Sequence, residues 1–159
     1  FVRHYDFAAG TWETFFECFL AGDVDFGDYF DNLTSWWPLR REPNVLFLTY
    51  ESMLADPAAA VEALAGFLGG AARDLARDER RLAGVVRDSS FGEMRQNQDR
   101  WSSRRPEGMP EFVRKGIVGD WANHFSADQA RRLGAKLRAR TVGTDIEALW
   151  PGLVSAALE

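Results

Sequence analysis

The sequence predicts an α/β fold, mostly helical within this chain, that carries one strand of a parallel sheet. Three observations lead there. Val45-Leu46-Phe47-Leu48-Thr49-Tyr50 is a short, nearly continuous apolar run, the pattern of a strand covered on both faces. Asp56-Pro57 follows it as a strong helix start, and amphipathic helical patterns lie on either side. A lone buried strand cannot satisfy its own backbone N–H and C=O groups, yet no second run of that quality exists, and Ile117-Val118 is too short. The chain therefore reads as the C-terminal half of an α/β domain, with residues 1–159 forming part of a single domain. Its other strands are expected from a preceding segment or another chain.

Each element has a local cause. Thr11 can cap a first helix whose face is Phe15, Phe16, Phe19 and Leu20, ending near Ala21-Gly22. A second helix is expected from about Asp25 towards Trp37, with Tyr29, Leu33 and Trp36 on one side and Pro38 ending it. Pro43-Asn44 marks the entry to the strand. After Asp56-Pro57, Val61, Leu64, Phe67 and Leu68 supply a core face, and Gly69-Gly70 stop the helix. A further helix from about Ala72 to Val86 would bury Leu75, Leu82 and Val85 beneath a charged face. Ser90-Phe91-Gly92-Glu93 and Ser126-Ala127-Asp128-Gln129 are capping boxes, the first for a short turn and the second for a last long helix. Residues 97–111 are polar, Arg-rich and Pro/Gly-containing, and are expected to form a mobile loop.

Composition excludes several classes. In 159 residues, 46% are hydrophobic, with 12 Phe and 6 Trp, which describes a sizeable core rather than a disordered segment. A net charge of -5 argues against general nucleic-acid binding. The single cysteine, Cys18, excludes an internal disulfide framework and fits a reducing, cytoplasmic setting. Its neighbours Phe15, Phe16 and Phe19 mark it as a buried structural thiol. No apolar run approaches the length of a membrane span. No His, Cys or Asp cluster has metal-ligand spacing, so no metal is expected.

The chemistry concentrates in Val113-Arg114-Lys115-Gly116-Ile117-Val118-Gly119-Asp120-Trp121. A guanidinium fork, an ammonium and a backbone N–H without a Cβ can converge on one small multivalent anion. Taken alone, the triplet Arg114-Lys115-Gly116 reads more readily as a solvated turn with two exposed cations. Its context is different. The run from Arg114 through Gly119-Asp120-Trp121 to Asn123-His124-Phe125 closely resembles the C-terminal signature of the cytosolic-type sulfotransferases. Leu46 to Met53 with Asp56-Pro57, Ser89-Ser90-Phe91-Gly92-Glu93-Met94, and Gly10-Thr11-Trp12 with Trp36-Trp37 resemble further segments of that family in the same order. The resemblance covers nearly the whole chain.

That resemblance implies the C-terminal part of a P-loop-like domain that uses 3′-phosphoadenosine 5′-phosphosulfate (PAPS) to sulfate a small-molecule hydroxyl or amine. Arg114, Lys115 and Gly116 would hold the donor's 3′-phosphate. Tyr50 would touch the adenine, Ser89 and Phe91 would lie beside it, and Phe112 would line the nucleotide. Ser89 stands where the family has threonine, which keeps the hydroxyl. From the residues alone, Tyr50 and Phe112 are equally core positions and Ser89 is a helix cap. Residues 97–111, with Arg100, Arg104 and Arg105, would be the family's lid, although each arginine alone reads as solvated. The family's 5′-phosphosulfate loop, catalytic histidine and lysine have no counterpart here, so the N-terminal half of the domain is the expected partner. His4 and His124 read as structural or exposed. The family's dimer segment is degraded at Ala122, Ser126, Ala127 and Arg131. The alternative is a non-catalytic nucleotide-binding or helical interaction module.

Overall fold

Helices dominate the computed structural model, which describes residues 10–101 and 111–156. The chain divides into two units, Phe1–Arg41 with Trp121–Glu159, and Glu42–Asp120. His4, Arg104, Arg105 and most of the expected lid lie outside the described residues.

In the first unit, Thr11 caps α1 (Trp12–Ala21) by accepting from the Thr14 N–H, and left-handed Gly22 ends it. The second helix, α2 (Tyr29–Trp36), starts later than the sequence predicts. Phe26 and Gly27 take positive φ, and Asp28 then caps the helix through the N–H groups of Phe30 and Asp31. A carboxylate that meets two otherwise orphaned donors fixes the start there. Pro38 lies in the short 3₁₀ turn Trp37–Leu39 that follows, so the chain leaves the α-helix where expected. The last long helix, Ala127–Arg140, has the full Ser126–Gln129 capping box. A 3₁₀ turn at Ile146–Leu149 and a helix at Pro151–Ala156, neither read from the sequence, complete this unit.

Its core gathers Phe16, Phe30, Leu33, Trp37, Leu133, Leu137 and Ile146. Side chains of this kind contribute about 1.5–3 kcal/mol each when fully buried. Trp12 Nε1 donates to Gln129 Oε1 at 3.1 Å, and Trp37 Nε1 to Asp145 Oδ1 at 2.9 Å, so both indoles serve structure. Lys136 Nζ donates to the Leu20 carbonyl at 2.6 Å and to Asp28 Oδ2 at 2.5 Å. Burial pushes the Asp28 carboxyl up, but Lys136 and the Phe30 N–H outweigh it and hold it below the usual carboxylate range.

In the second unit, residues 45–49 form no strand pairing, and Phe47 and Tyr50 are exposed. The expected strand covered on both faces is thus not formed among the described residues. No neighbouring strand exists among the described residues, so the ladder that would define one cannot form. Tyr50 belongs instead to α3 (Tyr50–Ala55), capped by Thr49, whose Oγ1 accepts from the Ser52 N–H at 3.1 Å. Asp56 caps α4 (Pro57–Leu68) as expected.

Gly69 ends α4, but Gly70 opens α5 (Gly70–Arg77) rather than extending the break. The helix expected from Ala72 to Val86 is two helices. Asp78 breaks it by accepting from the Arg80 and Arg81 N–H groups, which starts α6 (Glu79–Asp88). Both α5 and α6 pack on α4. Ser90 caps α7 (Phe91–Gln96), and α8 (Gln98–Trp101) stands where a loop was expected. Among the described residues of this unit, Ala65 is the one buried apolar side chain.

Candidate anion and nucleotide site

The site residues read from the sequence all fall in the second unit. Two segments distant in sequence meet there. Ser90 starts α7 so that Phe91 is its first residue, and the Phe91 ring lies against the backbone of Gly116. Gly116 has φ 63°, and a Cβ placed on it would sit 2.2 Å from Phe91 Cδ2. Glycine is thus required twice, by conformation and by space. In the same unit Gln98 Oε1 accepts the Val113 N–H at 3.2 Å, and Arg95 and Glu111 form an ion pair at 3.4 Å. The Arg95 guanidinium lies 5.9 Å from the Phe91 ring centre.

Arg114 and Lys115 converge on one carboxylate. Arg114 Nη2 donates to Asp120 Oδ2 at 2.5 Å, and Lys115 Nζ to Asp120 Oδ1 at 2.6 Å. The Asp120 side chain is 8% exposed, against 56% for Arg114 and 43% for Lys115. Of these three groups two are cations and one an anion, and the cationic side chains are the more exposed. Such a group can take a multivalent oxyanion through charge-assisted bonds, each worth about 1.5–3 kcal/mol. Among the described residues no three His, Cys, Asp or Glu side chains could hold a metal ion.

These observations meet the comparisons with known proteins. The pattern of the sulfotransferase domain matches residues 2–144. The chain belongs to the sulfotransferase domain family. Mouse sulfotransferase 1B1 is 37% identical over 143 residues, which is 87% of this chain and 46% of that protein. Crystal structures of mouse sulfotransferase SULT7A1 with PAP and of retinol dehydratase with androsterone and the inactive cofactor PAP are similar in fold. Their TM-scores are 0.71 and 0.72, at 29% and 25% identity. The first match covers 92% of this chain and 52% of the other, and the second 86% and 40%. The sulfotransferase segment thus spans about half the length of the relatives it matches.

Within this sulfotransferase segment, Phe91, Arg114, Lys115 and Gly116 come together as one group. Phe112 precedes it by two residues and is 57% exposed, and Tyr50 is 50% exposed at the first position of α3, so neither is an ordinary core residue. Among the described residues, no hydrogen bond or ring contact joins Tyr50 to Phe91, Arg114, Lys115 or Gly116. The Ser89 hydroxyl donates to the Val85 carbonyl at 2.8 Å, the capping role that its position at the end of α6 allows. Asp120, Arg95 and Gln98 were not singled out from sequence. Only Asp120 left a signal, an acid held close behind two cations by a glycine-rich run. No helix among the described residues is long and apolar enough to cross a membrane.

Proposed function

We propose that the intact protein transfers the sulfuryl group of PAPS to a hydroxyl or amine of a small-molecule acceptor in the cytoplasm. This chain supplies part of the adenine and 3′-phosphate site. The observation that carries the reading is the convergence of Arg114 and Lys115 beside Gly116, with Phe91 seated on that glycine, in a chain of sulfotransferase ancestry. Arg114 and Lys115 bind the 3′-phosphate as a bidentate fork and a point charge, while Gly116 lets the phosphate approach the backbone. Phe91 and Phe112 offer apolar faces to the purine, Tyr50 a ring with a polar tip, and Ser89 a hydroxyl.

Sulfuryl transfer moves an SO₃ unit from a phosphosulfate oxygen to an acceptor oxygen or nitrogen held in line with it, so the protein's work is positioning and charge stabilisation. Within that scheme the present residues hold the end of the donor remote from the reaction. Residues that grip the 5′-phosphosulfate and move the acceptor proton belong to the other half of the domain. The same half supplies the neighbours of residues 45–49, which then form a strand of a parallel sheet. The exposure of Phe47 and of the apolar side chains of α3 and α4 supports that arrangement.

Calorimetry of the intact protein with 3′-phosphoadenosine 5′-phosphate tests the site. Wild type is expected to bind and Arg114→Ala to bind at least about tenfold more weakly. Equal binding by the two proteins overturns the assignment. Binding without sulfuryl transfer to any hydroxyl or amine acceptor supports a non-catalytic nucleotide-binding module instead.

A further inference from the structure

Asp120 is the most deeply buried charged side chain of the anion group. We propose that it is the positioning residue of that group: its carboxylate gathers the Arg114 and Lys115 head groups at one point and leaves their other N–H donors to meet a phosphate from the solvent side. The inference rests on the reading of Arg114, Lys115 and Gly116 as a 3′-phosphate site.

The order of burial carries it. A carboxylate that merely took an anion's place would lie outside the cations. Asp120 lies beneath them, at 8% exposed against 56% and 43%. Its Oδ2 accepts from Arg114 and its Oδ1 from Lys115. Arg114 commits only Nη2, and an ammonium has further N–H groups beyond the one it gives, so both retain donors for a ligand. Without a shared partner, two adjacent long cations repel each other and sample many rotamers. Ordering them beforehand removes that cost from ligand binding.

The chain is built to allow this closure. Gly116 at φ 63° and Gly119 at φ 83° both take the left-handed conformation between Lys115 and Asp120. A Cβ on Gly119 would meet nothing within 4 Å, so there the backbone angle alone calls for glycine. These two positions turn the segment back so that a residue shortly downstream reaches beneath the cations.

The test compares two probes on the intact protein, 3′-phosphoadenosine 5′-phosphate and adenosine 5′-monophosphate, which differ by the 3′-phosphate. Asp120→Asn keeps the shape and removes the charge. It is expected to weaken the first probe about tenfold, the lower end for an outer-shell partner of a charged site, and to change the second by less than about twofold. The ratio of affinities cancels any uniform effect on folding. Asp120→Glu keeps the charge and serves as a second variant, expected to retain most of the discrimination. Equal weakening of both probes makes Asp120 merely structural and overturns the proposal. Tighter binding of the 3′-phosphate probe does so too, because it shows the carboxylate competing with the ligand. Arg114→Ala in the same experiment separates the two levels. If it leaves discrimination intact, the 3′-phosphate assignment itself fails and this proposal with it. If it abolishes discrimination while Asp120→Asn preserves it, only the role of Asp120 falls.

Discussion

Gly116→Ala probes the contact that joins the two halves of the site. The substitution has two separable costs. A left-handed backbone angle of 63° costs an L-residue about 1–2 kcal/mol. The new methyl would stand 2.2 Å from Phe91 Cδ2 and 2.9 Å from Cε2, so the ring must leave its seat. Overpacking of this kind costs about 1–3 kcal/mol. Together they predict a loss of about 2–5 kcal/mol in urea unfolding of the intact protein. A double-mutant cycle with Phe91→Ala isolates the second part, because a missing ring leaves nothing to clash with. In the Phe91→Ala background, Gly116→Ala should cost only the backbone share, about 1–2 kcal/mol. The same loss in both backgrounds would mean that the Phe91 ring does not occupy that space, and the description of the site would be wrong.

Two further outcomes follow from the same structure. Lys136→Met leaves the largely buried Asp28 carboxylate without its ammonium and should cost about 2–3 kcal/mol at pH 7, somewhat below the cost of breaking a fully buried pair. Because Lys136 helps hold the Asp28 pKa down, the stability it confers is present above the usual carboxylate value and is lost as pH falls through the lowered one. The difference between wild type and Lys136→Met should therefore shrink below about pH 4; an unchanged difference at pH 3 in urea titrations contradicts the linkage. The 159-residue chain on its own should show hydrogen-exchange protection in Phe16, Leu133 and Leu137 but little in Glu42–Asp120, where Ala65 is the one buried apolar side chain among the described residues. Uniform protection across both units refutes that.

Where a side chain directly satisfies a helix end, the sequence was readable. Thr11, Asp56, Ser90 and Ser126 each cap the helix assigned to them. The misreadings come from competition among local signals. Asp78 sits inside a pattern that is amphipathic on both sides, and periodicity alone does not show that its carboxylate takes the next helix's first donors. Gly27 and Asp28 moved the start of α2 in the same way. The apolar run at 45–50 announces burial, but pairing depends on strands that the chain does not itself provide among the described residues. The site divides similarly. Arg114, Lys115 and Gly116 were legible because charge and glycine stand together. The carboxylate beneath them and the ring against Gly116 depend on how the chain turns back, which residue types alone do not specify.

On the proposed function, Arg114, Lys115 and Gly116 recognise the donor and take no part in the chemistry. Steady-state sulfuryl transfer from PAPS by the intact protein, wild type against Arg114→Ala, tests it most directly. Losing a charge-assisted contact of about 1.5–3 kcal/mol should raise the donor KM about 10- to 150-fold. At saturating PAPS, kcat should stay within about twofold of wild type, because the interaction is made equally in the ground and transition states. A collapse of kcat with an unchanged donor KM would contradict the account.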